Sequence, residues 1–130
     1  MPLTASGRKQ KGDRAEREVL ALLRDVLGDH LVRARLEGSN DHGDIAGLPQ
    51  CAVQVKNYAD VARAVREGLQ GAAEQKANAG LPWGAAFVRR PRGRYVVCMD
   101  AEDWLSMFRE AVIGGQMAPK GPREPNGSVE

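Results

Sequence analysis

The sequence is poor in cysteine, in histidine and in long apolar runs. Its 130 residues include 2 cysteines and 2 histidines, and they lack the paired Cys and His spacing of a zinc site. Cys51 and Cys98 both fall in apolar, strand-like runs, which favours buried free thiols in a reducing cytosol over a disulfide between them. No apolar run approaches the roughly 20 residues of a membrane helix. Residues 1–11 have no apolar segment of the secretory kind. We therefore expect a cytoplasmic protein that makes no contact with a membrane.

Other chemistries are also excluded by what is missing. The sequence has no Walker-type glycine-rich loop and no Ser-His-Asp signal, so no small-molecule cofactor is expected. Its hydrophobic content of 42% is ordinary for one globular domain with a single core. We predict a flexible basic arm over residues 1–10, the folded domain over residues 11–114, and a disordered tail over residues 115–130.

Basic residues are concentrated in two stretches, although the net charge is only +2. One lies near the N-terminus and the other in a single predicted turn; their members are Arg8, Lys9, Lys11, Arg14 and Arg17, and Arg89, Arg90, Arg92 and Arg94. Arginine outnumbers lysine, and its planar guanidinium suits contact with phosphate. The two stretches are either solvated patches or parts of a nucleic-acid surface.

Hydrophobic periodicity predicts the element order α-β-β-β-α-β-β-α. Helices are expected over residues 12–27, 60–79 and 101–113. Strands are expected over residues 31–37, on both sides of Pro49, and in a hairpin of residues 84–90 and 94–99. The predicted fold class is α/β, with a central mixed five-stranded sheet flanked by helices. The last helix is expected to turn four apolar side chains inward: Trp104, Leu105, Phe108 and Val112.

One acidic residue falls on the apolar face of the first predicted helix. At about 100° per residue, Glu16 lies among Leu20, Leu23 and Leu27. A carboxylate on a buried face is costly unless a partner compensates its charge. Glu16 therefore either reaches water at the edge of the apolar stripe or points into a polar site on the sheet.

A second polar group surrounds the short turn at Pro49. Period 2 places Gln54 and Lys56 on one face of a strand. If residues 47–51 close a hairpin, Asp44 lies opposite Gln54 and shares that face. Exposed strand faces often carry such residues, so the spacing alone is a weak signal.

The chemistry of this polar group suits a divalent metal. The Asp44 carboxylate, the Gln54 carbonyl oxygen and the backbone carbonyl of Val55 are hard oxygen ligands for Mg²⁺ or Mn²⁺. Lys56 is placed to orient a water or to offset charge on phosphate oxygens. Glu16 could complete the metal shell directly or through water.

Three segments together resemble one nuclease family. Residues 11–18, Lys-Gly-Asp-Arg-Ala-Glu-Arg-Glu, are similar to the Lys-Gly-x-x-x-Glu-Arg-Glu opening of archaeal and phage-type Holliday junction resolvases, within the PD-(D/E)XK nuclease superfamily. Residues 38–47 resemble that family's loop and metal-binding Asp, and Gln54-Val55-Lys56 matches its Glu-x-Lys. Residues 74–80 also look like phage members. The likeness covers roughly residues 9–105.

The resemblance implies a Mg²⁺-dependent endodeoxyribonuclease that resolves four-way DNA junctions by paired nicks. It implies catalytic roles for Glu16, Asp44, Gln54 and Lys56, and a homodimer in a bacterial or phage-infected cell. Mn²⁺ is expected to substitute for Mg²⁺. Contacts with branched DNA are expected from the basic residues and from the loop before Asp44: Arg8, Lys9, Lys11, Arg17, Ser39, Asn40, His42, Arg89, Arg90 and Arg92.

One position departs from the family pattern, because Gln54 stands where the family has Glu. An amide keeps an oxygen ligand but removes a negative charge, so metal affinity should fall. The alternatives are a related nuclease acting on flaps or duplex DNA, a catalytically weakened junction-binding protein, and a small α/β domain whose polar strand face is merely solvated.

Overall fold

The computed structural model describes residues 5–33 and 44–114, without the side chains of residues 5–9. The predicted element order is confirmed. The chain runs through α1 (Ala5–Leu27), β1 (Val32–Arg33), β2 (Ile45–Ala46), β3 (Cys51–Lys56), α2 (Val61–Ala79), β4 (Trp83–Arg90), β5 (Arg94–Cys98) and α3 (Ala101–Ile113). The fold is α/β, and the chain divides after Asp100 into two compact units.

The prediction of one five-stranded sheet is wrong for the described residues. They form a two-stranded antiparallel sheet, β1-β2, and a three-stranded sheet in the order β3-β4-β5. β3 and β4 are parallel, whereas β4 and β5 are antiparallel. Left-handed backbone at Gly47 and Gln50 turns the chain between β2 and β3, and within the described residues these two strands do not pair in a ladder. A backbone hydrogen bond from Asp44 N to Val53 O, at 2.8 Å, joins the two segments.

Helix α2 lies very close to the three-stranded sheet because both surfaces carry small residues. A Cβ atom added at Gly68 would lie 2.8 Å from the Ala86 Cβ, and one added at Gly84 would lie 2.7 Å from the Ala72 oxygen. The helix begins after Asp60, which accepts a hydrogen bond from Arg63 N at 3.1 Å. It ends at the left-handed Gly80. The predicted bounds of this helix are confirmed to within one residue.

Helix α1 packs on the opposite side of β3, against Val53 and Val55. The apolar core there also includes Ala15, Val19, Leu20, Leu31 and Ile45. The helix begins at Ala5 rather than at residue 12, so residues 5–10 of the predicted flexible arm lie in α1. Alanine, lysine and glutamine in that stretch favour helix. The predicted apolar stripe is buried only in its first part, since Val26 is 80% exposed.

Helix α3 has the predicted bounds, but the expected burial of its apolar side chains is wrong for three of the four. Trp104, Leu105 and Phe108 are exposed, and no residue of α3 is buried. Trp104 and Phe108, one turn apart, instead stack on each other with ring centroids 5.1 Å apart. Among the helices of the described residues, none is both long enough and apolar enough to cross a membrane.

Candidate active site

Asp44 is fixed to strand β3 by its side chain. Its Oδ2 atom accepts a hydrogen bond from the backbone nitrogen of Val55 at 2.7 Å and one from Gln54 Nε2 at 3.1 Å. A carboxylate that accepts a backbone N–H in this way is held in one orientation. The predicted meeting of Asp44 with the 54–56 segment is confirmed, although hydrogen bonds of the Asp44 backbone and side chain make the connection in the described residues, rather than a hairpin ladder.

Gln54 is buried, at 8% exposure, and faces α2. Its Oε1 accepts a hydrogen bond from Gln75 Nε2 at 2.8 Å. The atom that Gln54 presents to Asp44 is therefore the amide nitrogen, not the carbonyl oxygen that the metal prediction requires. A Cβ atom added at Gly71 would clash with Gln54 Oε1, which explains a glycine inside α2 at this point.

Lys56 shares the α2 side of β3 with Gln54, as period 2 predicts. Its Cγ lies 3.4 Å from the position of a Cβ added at Gly68. Its ammonium group stands 5.5 Å from the centre of the Tyr58 ring, an aromatic face that stabilises a cation. The Tyr58 hydroxyl in turn donates to Glu67 Oε1 at 2.8 Å. The hydrogen bonds from Arg63 and Tyr58, with smaller contributions from the charges of Arg63 and Lys56, lower the pKa of Glu67.

Glu16 is compensated by a partner that sequence reasoning missed. Its Oε1 accepts hydrogen bonds from Arg33 Nε, at 3.0 Å, and from Arg33 Nη2. Arg33 Nη2 also donates to Asp13 Oδ1 at 3.0 Å, and the hydrogen bond to Glu16 raises the pKa of Arg33. In the β1-β2 register Arg33 pairs with Ile45, the residue after Asp44. Glu16 belongs to α1, whereas Gln54 and Lys56 face α2.

A second missed cluster joins α1 to β4 and β5. Glu18 Oε1 accepts hydrogen bonds from the Tyr95 hydroxyl at 2.6 Å and from Arg89 Nε at 2.9 Å. These bonds lower the pKa of Glu18 to about 2, while burial and the same contact raise the pKa of Tyr95. Arg89, predicted to contact DNA, thus has an internal ion-pair partner. The only sequence signal for the cluster was the arginine-rich turn.

The other predicted DNA-binding residues fall into three groups. Arg17, Arg90 and Arg92 are exposed, and Lys11 is half-buried with its carbonyl accepting a hydrogen bond from Asn57 Nδ2 at 3.2 Å. Arg8 and Lys9 lie in α1, but their side chains fall outside the description. Ser39, Asn40 and His42 lie outside the described residues.

The arginine-rich turn between β4 and β5 surrounds a cavity of about 410 Å³. Its walls are Arg90, Pro91, Arg92, Arg94, Tyr95 and Val96. Arg92 has a φ of 66°, a left-handed backbone that side-chain-bearing residues rarely adopt. Several cations around one open cavity attract an anion, and phosphate matches the guanidinium geometry.

The donor set fits Mg²⁺ in type but lacks a strong charge. Among residues 5–33 and 44–114, no group of three or more His, Cys, Asp or Glu side chains could hold a metal ion. Asp44, an oxygen of Gln54 and the Val55 carbonyl supply hard oxygen ligands of the kind that Mg²⁺ uses together with several waters. A metal would need the Gln54 oxygen, rather than its nitrogen, on the Asp44 side.

Comparisons of the chain with protein-family models, with curated proteins and with solved structures give no match.

Proposed function

We propose that the chain is a metal-dependent DNA endonuclease whose active site is formed by Asp44, Gln54 and Lys56. The observation that supports this most is the side-chain connection of Asp44 to β3. Its carboxylate bonds both the Val55 nitrogen and the Gln54 amide, two residues before Lys56. The amide and the ammonium are thus carried by β3, and the acid is held against the same strand by its own hydrogen bonds.

Each residue of this trio has a role in phosphodiester hydrolysis. The Asp44 carboxylate, the Gln54 carbonyl oxygen and the Val55 carbonyl would hold Mg²⁺ or Mn²⁺. When bound, the metal polarises the scissile phosphate and lowers the pKa of a coordinated water. Lys56 offsets negative charge that builds on the phosphate oxygens. Glu16, held by Arg33, contributes through a water on the α1 side.

The proposed substrate is a four-way DNA junction, as the resemblance of residues 11–18, 38–47 and 54–56 implies. A homodimer would bring two equivalent sites to two opposed strands, and two-fold protein symmetry suits a two-fold junction. Binding would rest on phosphate contacts and DNA shape rather than on base edges. Arg17, Arg90 and Arg92, which are exposed, are available for such contacts. The proposed setting is the cytoplasm of a bacterial or phage-infected cell.

A substrate panel tests the proposed reaction. We would incubate the purified protein with labelled four-way junction, flap, nicked duplex and linear duplex, each with Mg²⁺, with Mn²⁺ and with EDTA. The proposal expects metal-dependent paired nicks in the junction and little cutting of linear duplex. Preferential cutting of the flap or duplex would replace the junction with another substrate. Absence of cutting in every sample would contradict the endonuclease.

A second candidate is a junction-binding protein with a weakened site. It is favoured by the Gln54 amide nitrogen that faces Asp44 and by the missing charge at this position. This candidate expects tight, salt-dependent binding of the junction with no product in either metal. Gel-shift measurements on the same substrate panel distinguish it from a domain whose polar strand face is merely solvated, for which no binding is expected.

A further inference from the structure

Gln75 is a buried polar residue that the proposed reaction does not use. It lies on α2 at 3% exposure, and its Nε2 atom donates to Gln54 Oε1 at 2.8 Å. Gln54 in turn donates to Asp44 Oδ2 at 3.1 Å. The three side chains form a hydrogen-bonded row that runs from α2, across β3, to the acid of the proposed metal site.

The direction of this row conflicts with metal binding. A cation beside Asp44 would meet the partial positive charge of the Gln54 amide group, whereas a ligand must offer an oxygen. The two ends of an amide have nearly the same shape, so a half-turn about the last side-chain bond exchanges nitrogen for oxygen without a change in volume. Helix α2 approaches Gln54 closely at Gly71, where an added Cβ atom would clash with Gln54 Oε1, so the amide has little room to move toward the helix.

Turning Gln54 alone would leave a new conflict at α2. Its Nε2 atom would then face the Nε2 atom of Gln75, and two donors cannot bond each other. In a buried site an unmade hydrogen bond is costly. Gln75 therefore has to turn as well, so that its oxygen accepts from Gln54.

We infer that Gln75 is a positioning residue for the metal ligand Gln54, and that the amides of Gln54 and Gln75 invert together when a divalent metal binds at Asp44. The inference rests on the proposed metal-dependent function. In the structure described above, the row of hydrogen bonds points toward Asp44. In the metal-bound protein it points toward α2.

Side-chain NMR with calorimetry tests the inference without measuring catalysis. We would titrate the full ¹⁵N-labelled chain with Mg²⁺ and follow the side-chain amide resonances, assigned by their loss in Gln54→Glu and Gln75→Met. The side-chain NH2 resonances of Gln54 and of Gln75 should shift at the same Mg²⁺ concentration. That midpoint should equal the Kd from calorimetry. The resonances of Gln70, an exposed residue of the same helix, should not shift.

The possible outcomes distinguish failure of the paired inversion from failure of the proposed metal site. Heat of binding with a shift of Gln54 alone, or of neither residue, would overturn the paired inversion while leaving the metal site standing. Absence of both heat and shift would contradict the metal site itself, and the inference with it.

An acceptor-only side chain at position 75 provides a second measurement. In Gln75→Glu, the carboxylate accepts from Gln54 Nε2 and keeps the Gln54 oxygen on the Asp44 side. The Mg²⁺ Kd should fall by roughly 3- to 10-fold, the value of one hydrogen bond of ordinary strength. The matched control, Gln70→Glu, should leave the Kd unchanged. An unchanged or weaker Kd in a folded Gln75→Glu protein would contradict the positioning role.

Discussion

At the scale of single residues, Gln54 decides how the site behaves. It is the position where the chain departs from the Glu of the resolvase-like pattern, and it is also the residue that links Asp44 to α2. An amide can bond a carboxylate in the metal-free protein, whereas a second carboxylate would repel it. We therefore expect Gln54 to favour the stability of the fold at the expense of affinity for the proposed metal.

Replacing Gln54 by Glu should lower the stability of the protein without a metal and raise its affinity for the metal. We expect the Gln54→Glu protein to unfold at a lower temperature than wild type in EDTA, because two carboxylates then lie side by side in a buried place. Added Mg²⁺ should restore much of the loss, since a ligand that binds only the folded state stabilises it. Thermal unfolding with and without Mg²⁺ measures both effects. Gln70→Glu, an exposed change on α2, controls for an added carboxylate: it loses the hydrogen bond to Glu74, and Mg²⁺ should not restore its stability. Equal stability of Gln54→Glu and wild type in EDTA would count against a shared site for positions 44 and 54.

Lys56 offers a prediction about catalysis rather than folding. Lys56→Met keeps the aliphatic packing against α2 and removes the ammonium group. We expect cleavage of a junction to fall by about 10²- to 10³-fold, the usual effect of removing one group that stabilises transition-state charge. Junction affinity should change little. Arg66→Met, an exposed cation of α2, should cut like wild type. Normal cleavage by the Lys56→Met protein would remove Lys56 from the active site.

At the scale of secondary structure, the turn between β4 and β5 carries strain next to its arginines. Arg92 has a left-handed φ of 66°, and Gln50, before β3, has the same value. A side chain in this conformation costs on the order of 1 kcal/mol. The strained arginine lines a cavity together with Arg90 and Arg94, and strained backbone of this kind is concentrated at binding sites.

Replacing each of the two strained residues with glycine distinguishes an effect on DNA binding from an effect on folding stability. Arg92→Gly and Gln50→Gly should each stabilise the fold by up to about 1 kcal/mol in urea unfolding, because glycine adopts positive φ freely. Only Arg92→Gly should weaken junction binding, with the slope of log affinity against log salt reduced by about 1. The same loss of binding in both variants, or in neither, would refute the role of Arg92.

The cluster of Glu18, Arg89 and Tyr95 predicts how the free energy of unfolding depends on pH in the acidic range. The pKa of Glu18 is about 2 in the folded protein, below its ordinary value of 4.5, so the unfolded chain takes up a proton first as pH falls. The stabilisation is therefore complete above about pH 4.5 and is lost between that pH and about pH 2.

Urea unfolding over this range checks the acid prediction. Glu18→Gln should be less stable than wild type at neutral pH, and the difference should narrow as pH falls toward about 2. Glu74→Gln, on the exposed face of α2, should show no such narrowing. A stability difference between Glu18→Gln and wild type that is constant with pH would mean that the Glu18 contacts do not form.

Elements with local signals could be predicted from the sequence, and contacts between distant elements could not. Asp60 and Gly80 mark the ends of α2, and Pro91-Arg92-Gly93 marks the turn between β4 and β5, because capping and turn chemistry are local. The partners Arg33 of Glu16 and Gln75 of Gln54 lie 17 and 21 residues away in sequence, where no local rule applies. Gly68 and Gly71 weaken the helix prediction when read alone, yet they are what allows α2 to approach β3.

At the scale of the whole molecule, the arrangement of the strands and the way Asp44 is connected to β3 both differ from the prediction. The described strands form two small sheets instead of one, and Asp44, just before β2, is joined to β3 by its own side chain. Asp44 therefore has two functions, as a structural link and as the proposed metal ligand. Asp44→Ala would remove both, because Val55 N would lose its acceptor. Asp44→Asn keeps one oxygen for Val55 N and Gln54 Nε2, while a neutral amide nitrogen replaces the second oxygen and the charge is lost.

Cleavage of a labelled four-way junction by wild type and by Asp44→Asn, in Mg²⁺ and in EDTA, tests the central claim most directly. Asp29→Asn, an exposed acid after α1, is the matched control. We predict paired nicks by wild type and Asp29→Asn in Mg²⁺, none in EDTA, and none by a folded Asp44→Asn protein that still binds the junction. Cleavage by Asp44→Asn at the wild-type rate, or cleavage by wild type that persists in EDTA, would contradict a metal-dependent active site at Asp44.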